Sequence, residues 1–310
     1  MQRASRTYWV LFAFALLIAP GCRRSAPVPD AAPETSEEVL SASIQLKGSD
    51  TMVNLGQAWA EAFMKRHPQV RIAVTGGGSG TGIAALINGT TDIAESSREM
   101  KPEEREQAKA RGNEVVEHKV ALDGLTVAVH PSNPVKRLTI AQLSELYTGK
   151  FTNWKELGGA DRPIVALSRE KNSGTHVFFL EHVVRRGNAK GPEQFAPGVL
   201  MMASSQTIAD EVASNPNAIG YFGLGYLDRA RHQPIAVAAD EQSEYVEPSS
   251  EAAATGKYAI ARPLFLYTRA DANPAVKAFV EFVLSPDGQK IVAEQEFVPL
   301  SATDASRSAQ

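Results

Sequence analysis

The chain has 310 residues, which is enough for one large domain or two of ordinary size with a substantial hydrophobic core. It carries 32 lysine and arginine residues against 35 aspartate and glutamate residues, for a formal net charge of −3. Because nucleic-acid binding needs a basic excess, this balance excludes nucleic acid as an expected partner. Cys22 is the single cysteine, so no disulfide can form within the chain.

Residues 1–21 have the pattern of a signal peptide. Arg3 and Arg6 precede an apolar run at 8–19, which is too short to span a bilayer core of about 30 Å. The following Ala-Pro-Gly-Cys at 19–22 resembles a bacterial lipoprotein box, in which the cysteine becomes lipidated. The alternative is ordinary signal-peptidase cleavage beside an incidental cysteine. We expect an exported lipoprotein, attached to the membrane by lipidated Cys22 on its periplasmic or cell-surface side.

Residues 22–43 are predicted to be a disordered linker. The segment is rich in proline, alanine, glutamate and serine and shows no apolar periodicity. Such a composition buries too little surface to offset the entropy lost on ordering. The folded part of the chain is therefore expected from about residue 44.

From residue 44 onward, apolar patterns and turn signals alternate in the manner of an α/β protein. The predicted strands are 44–46, 70–74, 92–94, 115–121, 125–129, 164–167, 219–222 and 263–268. The predicted helices are 52–67, 83–88, 101–111, 139–147, 176–184, 205–214, 274–284 and 286–294. Asp123-Gly124 is interpreted as a turn between two strands, and Ser49, Asp50 and Thr51 are each possible caps for the helix at 52–67.

A glycine-rich turn at 75–82, Thr-Gly-Gly-Gly-Ser-Gly-Thr-Gly, lies between a predicted strand and a predicted helix. Backbone N–H groups at a helix start have no partner within the helix, which makes such a turn a possible anion site. The alternative is a flexible glycine linker. The spacing matches neither the dinucleotide fingerprint, nor the P-loop, nor the nucleophile elbow of serine hydrolases.

Four predicted strand ends carry serine, threonine, glycine and arginine, and each is followed by a turn or helix. They lie at 48–51, 75–82, 95–98 and 168–175. In open α/β sheets, ligands bind at the carboxyl ends of the strands. The recurrence of one chemistry at four such ends predicts a site for a small anion.

These stretches together resemble the phosphate-binding proteins of bacterial ABC importers. The resemblance depends on Gly-Ser-Asp-Thr-Met at 48–52, the glycine turn at 76–82, residues 92–98, Arg-x-x-x-Ser-Gly-Thr at 169–175 and Arg-Pro-Leu at 262–264. It implies a two-lobed periplasmic-binding-protein-like fold of type II, in which mixed sheets are flanked by helices and the ligand lies in the cleft between the lobes. The implied lobes are 44–128 with 258–310, and 129–257.

The resemblance also implies a set of ligand contacts. The phosphate-binding residues it indicates are Ser49, Thr51, Met52, Ser79, Gly80, Ser97, Arg169, Ser173, Gly174 and Thr175. Many family members have a carboxylate where Ser97 stands, and that group accepts the proton of monohydrogen phosphate. Either Asp50 or another carboxylate replaces it here, or discrimination against sulfate is weaker. Arg98 is expected either to neutralise the anion or to pair with an acid such as Glu95.

The implied function is a monomeric receptor that captures inorganic phosphate and delivers it to the transmembrane subunits of an ABC importer. Catalytic residues, a metal and a cofactor are not implied. Three alternatives remain open: a receptor for sulfate, molybdate or a phosphate ester; a surface lipoprotein that feeds no transporter; and a hydrolase using Ser79 or Ser173. The hydrolase would need a base, and His176 is the only histidine beside a motif. Trp59 and Phe63 are expected in the core, and Trp154 at the cleft edge or packed in a turn.

Overall fold

The computed structural model of the protein describes residues 41–301 and Ala305. The predicted signal peptide, Cys22 and nearly all of the predicted linker lie outside this range. The first strand begins at Ala42, so the linker prediction, which ended at residue 43, runs two residues too far. The reason is that this strand pairs with its neighbour from Ala42 onward, a long-range contact that local composition does not reveal.

Helices and strands alternate along the described chain, as predicted. The strands are β1 (Ala42–Gly48), β2 (Val70–Thr75), β3 (Ile93–Ser96), β4 (Val115–Val129), β5 (Arg137–Thr139), β6 (Val165–Arg169), β7 (Leu200–Met202), β8 (Ala218–Gly223), β9 (Gln233–Pro234), β10 (Ala236–Ala238) and β11 (Ala261–Arg269). The α-helices are α1 (Val53–Arg66), α2 (Ser79–Ile87), α3 (Pro102–Ala110), α4 (Ile140–Tyr147), α5 (Gly174–Phe179), α6 (Ser205–Ser214), α7 (Ser250–Ala254), α8 (Pro274–Leu284) and α9 (Pro286–Glu294). Short 3-10 turns occur at Trp154–Leu157 and Leu224–Tyr226.

The main sheet is mixed, with the strand order β2-β1-β3-β11-β4-β8-β6-β7 and β9 paired to β4. Strand β1 runs parallel to both β2 and β3. Strand β11 is antiparallel to β3 and β4. Beyond β4, strand β8 is antiparallel to it, and β6 runs parallel to β8 and β7. The α/β class with mixed sheets is therefore confirmed.

Strand β4 is continuous from Val115 to Val129, so the prediction of two strands around an Asp-Gly turn is wrong. Its first part pairs with β11 as far as Gly124, and its last part, from Leu125, pairs with β8. A buried aspartate is tolerated within the strand because the Asp123 carboxylate forms an ion pair with Arg262 in β11. The residue pair that looked like a turn is the place where one strand changes neighbours.

Two large clusters of buried apolar side chains form on this framework. The first joins β1 and α1 to α8 and α9 and contains Trp59 and Phe63, as predicted. The Trp59 indole N–H donates to the Gly288 carbonyl, 2.9 Å away. The second cluster lies around α4, α5 and β8 and contains Trp154, which is buried and does not lie at a cleft edge. The exact lobe boundaries remain a prediction.

Three helix starts differ from the prediction in a way that affects the site. Helix α2 begins at Ser79, not at residue 83, so part of the glycine turn forms its first helical turn. Helix α1 begins after Met52 without a side-chain cap, so the expected capping by Ser49, Asp50 or Thr51 is wrong. These three side chains are bonded to residues far along the chain instead. Helix α5 begins at Gly174, not at residue 176, because Ser173 caps it, and it continues as a π-helical turn, Leu180–Val184.

Candidate anion-binding site

Three serines, two after strand ends and one at a helix start, meet in the first half of the site. The Ser49 hydroxyl donates to Ser97 Oγ at 2.9 Å. The hydroxyls of Ser79 and Ser97 are 3.4 Å apart, and the Ser97 backbone N–H donates to Ser79 Oγ at 3.1 Å. All three residues are buried. The ends of β1 and β3 and the start of α2 therefore present a compact group of hydroxyls.

The start of α5, which with the end of β6 forms the second half of the site, lies against these three serines. Thr175 Oγ1 lies 2.8 Å from Thr51 Oγ1, and either hydroxyl can be the donor. A Cβ atom on Gly174 would lie 2.4 Å from Ser79 Oγ and 2.8 Å from Ser97 Oγ. Only a residue without a side chain allows this approach without displacement of the hydroxyls.

Hydrogen bonds to backbone carbonyls hold the glycine turn against the loop after β6, a few residues before Gly174. The Gly80 N–H donates to the Asn172 carbonyl at 2.9 Å. The Asn172 side-chain amide in turn donates to the Gly77 carbonyl at 2.8 Å. The glycine turn and the loop after β6 are therefore joined by hydrogen bonds in both directions.

Arg169, at the end of β6, has a side chain that is only 2% exposed. Its Nη2 lies 2.6 Å from Asp50 Oδ2, whose side chain is 14% exposed. Nη1 donates to Ser205 Oγ at 3.1 Å, and Nη2 and Nε donate to the carbonyls of Ala203 and Met202. The guanidinium is thus held by several partners, and the carboxylate that pairs with it, Asp50, lies between Ser49 and Thr51 in the chain.

Arg262 is a site residue that the sequence analysis missed. Its Nη2 donates to Thr175 Oγ1 at 3.0 Å and to Thr51 Oγ1 at 3.3 Å. Its Nη1 donates to the Ser97 carbonyl at 3.1 Å. The Arg-Pro-Leu motif at 262–264 contributes to the family resemblance, but the sequence does not show that β11 brings the Arg262 charge to the site.

Asp123 is the counter-ion of Arg262. Its Oδ2 accepts from Nη2 at 2.9 Å and from Nε at 3.1 Å, and Oδ1 accepts from the Leu224 N–H. Both side chains are almost completely buried. Burial raises the pKa of the Asp123 carboxyl, while the Arg262 charge and these hydrogen bonds oppose the rise.

The two other predicted contacts have structural partners of their own. Ser173 caps α5, because its hydroxyl accepts the N–H groups of Thr175 and His176 at 3.2 and 3.4 Å. The Met52 N–H donates to the Ser49 carbonyl at 2.9 Å. The structure thus brings nine of the predicted residues into adjoining segments, whereas the Arg169 side chain bonds to Asp50, Ser205 and two backbone carbonyls rather than to those nine. That they bind an anion stays a prediction.

Glu95 lies directly before this site, in β3, and is completely buried. Among the described residues, neither of its carboxyl oxygens has a hydrogen-bond partner. Burial, and secondarily the nearby charge of Asp50, raise the pKa of Glu95 well above its ordinary value. Arg98, considered as its partner, pairs with Glu104 instead, at 2.6 Å.

The histidine nearest the motifs is engaged elsewhere. His176 Nδ1 is 2.8 Å from the Arg169 carbonyl and 3.2 Å from Ser168 Oγ. Burial lowers the pKa of His176 to about 4. The Ser173 hydroxyl that a hydrolase would need as nucleophile is occupied as a helix cap. Within residues 41–301, no group of three or more potential metal ligands and no membrane-spanning helix is found.

A family model described as a PBP superfamily domain matches residues 32–287. The chain belongs to the PBP superfamily. Within that superfamily it is similar to the phosphate-binding protein PstS of Bacillus subtilis, with 32% identity over 100% of this chain and 98% of the relative. PstS of Pseudomonas aeruginosa is 30% identical over 87% of this chain and 86% of its own length. The predicted likeness to phosphate-binding proteins is confirmed.

Solved structures of the PBP superfamily agree with the fold. One is a Clostridium perfringens protein with bound phosphate, a candidate substrate-binding protein of a phosphate ABC transporter. It aligns with a TM-score of 0.75 and 35% identity, over 84% of this chain and 100% of that one. An ABC-type phosphate transport receptor from Vibrio cholerae aligns with a TM-score of 0.65 and 30% identity, over 83% and 100%. The two-lobed fold expected from the motifs is confirmed.

Proposed function

We propose that the protein captures inorganic phosphate at the site described above and delivers it to the transmembrane subunits of an ABC importer. One observation supports this most directly. Hydroxyls from the two halves, those of Thr51 and Thr175, lie 2.8 Å apart and share the guanidinium of Arg262. A tetrahedral oxyanion needs such donors from several directions, and the relatives named above are phosphate-binding proteins.

Hydroxyl groups supply most of the proposed contacts. In the structure these hydroxyls bond to one another. A hydrogen bond to a charged group contributes about 1.5–3 kcal/mol, against about 1 kcal/mol for a bond between neutral groups. Exchanging hydroxyl–hydroxyl bonds for hydroxyl–phosphate bonds is therefore favourable, and it offsets part of the cost of dehydrating the anion.

Helix starts and arginines supply the positive potential. Helix α2 begins at Ser79 and α5 at Gly174, so the positive ends of both helix dipoles lie beside the site. Arg169 and Arg262 each keep an aspartate partner, so the two ion pairs together carry no net charge. A ligand is thus attracted by oriented dipoles and guanidinium N–H groups at short range, in a chain whose net charge is negative.

Binding is expected to stabilise the form in which the two halves are together. Contacts to Ser49, Thr51, Ser79 and Ser97 come from one half, and those to Gly174 and Thr175 from the other. A ligand that touches both sets binds the closed form better, and it can shift the equilibrium only by that difference in affinity. A transporter that recognises the closed form would then receive loaded receptors.

A receptor for another oxyanion, such as sulfate, is the second candidate, and it is supported by Ser97. A hydroxyl can accept the proton of monohydrogen phosphate, but it can also donate to a sulfate oxygen. A carboxylate at this place would accept only, and would repel sulfate. Both aspartates of the site already receive hydrogen bonds from arginine. Selectivity against sulfate therefore depends on whether Ser97 or one of these carboxylates accepts the hydrogen bond that monohydrogen phosphate donates.

We propose binding without turnover. Ser173 is a helix cap, and the buried His176 faces a carbonyl and Ser168. A nucleophile needs a base within hydrogen-bond reach, whereas the hydroxyls of Ser79 and Ser173 are bonded to Ser97 and to backbone N–H groups. Hydrolysis of a phosphate ester that is lost in a Ser79→Ala variant would contradict this part of the proposal.

The proposed location is outside the cytoplasmic membrane, with the chain exported and attached through lipidated Cys22 as a monomer. This part depends on the sequence pattern at 1–22. Mass spectrometry of the mature N-terminus tests it. A diacylglycerol mass on Cys22, lost in a Cys22→Ala variant, is the expected result, and an unmodified terminus would contradict it.

Calorimetric titration of the mature protein with phosphate and with sulfate tests the main proposal. We expect phosphate to bind with a dissociation constant far below about 1 mM, and sulfate to bind at least about tenfold more weakly. Equal affinity would favour the second candidate. No phosphate binding at about millimolar concentration would overturn the first.

A further inference from the structure

The loop between β6 and α5 lies against the glycine turn at the exposed edge of the site. Asn172 in this loop is exposed, and its side-chain amide donates to the Gly77 carbonyl at 2.8 Å and to Thr81 Oγ1 at 3.3 Å. In the opposite direction, the Gly80 N–H donates to the Asn172 carbonyl at 2.9 Å. One residue of the second half therefore makes three hydrogen bonds to the first half, and we call these three bonds the Asn172 contact.

Two glycines of the turn make room for the Asn172 contact. A Cβ atom on Gly78, whose φ is +90°, would lie 2.8 Å from the Asn172 carbonyl oxygen. A Cβ atom on Gly80 would lie 3.1 Å from the same oxygen. A side chain at position 78 would therefore displace the loop, and one at position 80 would be tightly packed against it. The glycine turn is thus the surface on which this loop of the second half rests.

The Asn172 side chain bonds to residues outside the predicted phosphate-binding set. Neither Gly77 nor Thr81 belongs to that set, and Asn172 is exposed, whereas the hydroxyls of Ser79 and Ser97 are buried. The Asn172 contact therefore joins the two halves at the edge of the site, beside the proposed ligand contacts and separate from them.

Such a contact acts on the release of a ligand more than on its capture. A ligand enters before the two halves come together, so the bonds of Asn172 form only after capture. The same bonds must break before the halves separate and the ligand leaves. Among variants of one binding site, most differences in affinity arise in the dissociation rate. Loss of these bonds should therefore speed release and leave capture nearly unchanged.

We propose that Asn172 is a positioning residue that holds the second half of the site against the glycine turn and sets the rate at which bound phosphate leaves. The inference rests on the proposed function, because it concerns release from the same site. Asn172 acts through the position of the second half and does not contact phosphate. Asparagine suits this role because its amide nitrogen donates two hydrogen bonds while its backbone carbonyl accepts a third.

The release rate of phosphate from the mature protein tests this inference. Protein loaded with radioactive phosphate is mixed with excess unlabelled phosphate and sampled by rapid filtration, which gives the dissociation rate. Calorimetry gives the dissociation constant, and the ratio of the two gives the association rate. For Asn172→Ala, which removes both side-chain bonds, we expect dissociation about fivefold faster and association changed by less than about twofold. Asn172→Asp has the same shape but cannot donate to the Gly77 carbonyl, and should release phosphate at least as fast as the alanine variant.

Asn113→Ala is the matched control. Its side-chain amide makes a comparable bond, 2.9 Å long, to the Ile87 carbonyl, away from the loop between β6 and α5. Both rates should stay as in wild type, and thermal unfolding of all the variants verifies that they are folded. Hydrogen exchange of the Gly80 amide, followed by NMR without ligand, reports the contact directly. It should be faster in Asn172→Ala than in wild type and unchanged in Asn113→Ala.

The outcomes separate this inference from the proposed function. If wild-type protein binds phosphate and Asn172→Ala releases it at the wild-type rate, the inference is overturned and the proposed function stands. Weaker binding that arises from slower association alone also overturns the inference, as does unchanged exchange of the Gly80 amide. If wild-type protein binds no phosphate, both the proposed function and the inference fail.

Discussion

Arg262 and Asp123 lie directly opposite each other in β11 and β4, with Nη2 and Oδ2 2.9 Å apart. They occupy the point at which β4 exchanges β11 for β8 as its neighbour. The same Nη2 donates to Thr51 and Thr175. One ion pair therefore connects β4, at the point where it changes neighbours, with the hydroxyls of the proposed phosphate site.

Asp123→Asn should strongly destabilise the protein. It leaves the Arg262 guanidinium buried without a counter-charge, and removing one partner of a buried ion pair typically costs about 3–5 kcal/mol. Urea unfolding followed by tryptophan fluorescence measures the change. Glu247→Gln, which removes one partner of an exposed pair with Arg229, is the control and should cost less than about 1 kcal/mol. A similar small cost for both variants would show that the buried pair contributes little to stability.

Gly174→Ala should weaken phosphate binding at least about tenfold. The added Cβ would lie 2.4 Å from Ser79 Oγ, so either the hydroxyls or the start of α5 must move from their present positions. Calorimetric titration measures the affinity. Gly198→Ala is a matched control, because a Cβ there would meet no atom within 4 Å. Equal affinities for the two variants would mean that close approach at Gly174 is not needed for binding.

Features with a local sequence signal were predicted accurately. Helices α8 and α9 match their predicted bounds because each follows a capping residue, Asn273 or Ser285, and begins with proline. The convergence of serine and threonine at strand ends followed from the same kind of signal, since parallel strands place their carboxyl ends at one edge of a sheet. Local chemistry was sufficient for these features.

Features that depend on distant partners were missed. The break predicted at Asp123 is absent because its partner, Arg262, is 139 residues away. The expected caps of α1 bond to Ser97, Arg169 and Thr175, and only the folded structure brings these near. Arg262 was not assigned to the site for the same reason. A sequence reports which side chains are available, whereas their partners are decided by the pairing of strands.

Glu95→Gln should stabilise the protein increasingly as the pH rises. In the unfolded chain, the Glu95 carboxyl loses its proton around its ordinary pKa of 4.5. In the native state, the buried carboxyl keeps its proton to a higher pH. The native state then binds more protons than the unfolded state, so the free energy of unfolding falls with rising pH. Glutamine has no such proton to lose, and the variant should not show this fall.

Urea unfolding of wild-type and Glu95→Gln protein at about pH 5 and about pH 8 measures this difference. The gain from the substitution should be larger at the higher pH. Glu106→Gln, on the exposed face of α3, reports what the loss of one surface charge does by itself. A gain at Glu95 that is the same at both pH values would contradict the account of a buried, protonated carboxyl.

Arg169→Ala should reduce the phosphate affinity at least about tenfold, because it removes the guanidinium that neutralises Asp50 at the edge of the site. Arg169→Lys keeps the charge but loses the fork that bonds Ser205 and the backbone carbonyls of β7 and the residue after it. It should therefore give an affinity between those of wild type and the alanine variant. Arg231→Ala, which breaks an exposed pair with Asp210, is the control and should bind as wild type does. If Arg169→Ala retains full affinity and a normal unfolding transition, the phosphate does not depend on this arginine, and the proposed site must be redrawn around Arg262.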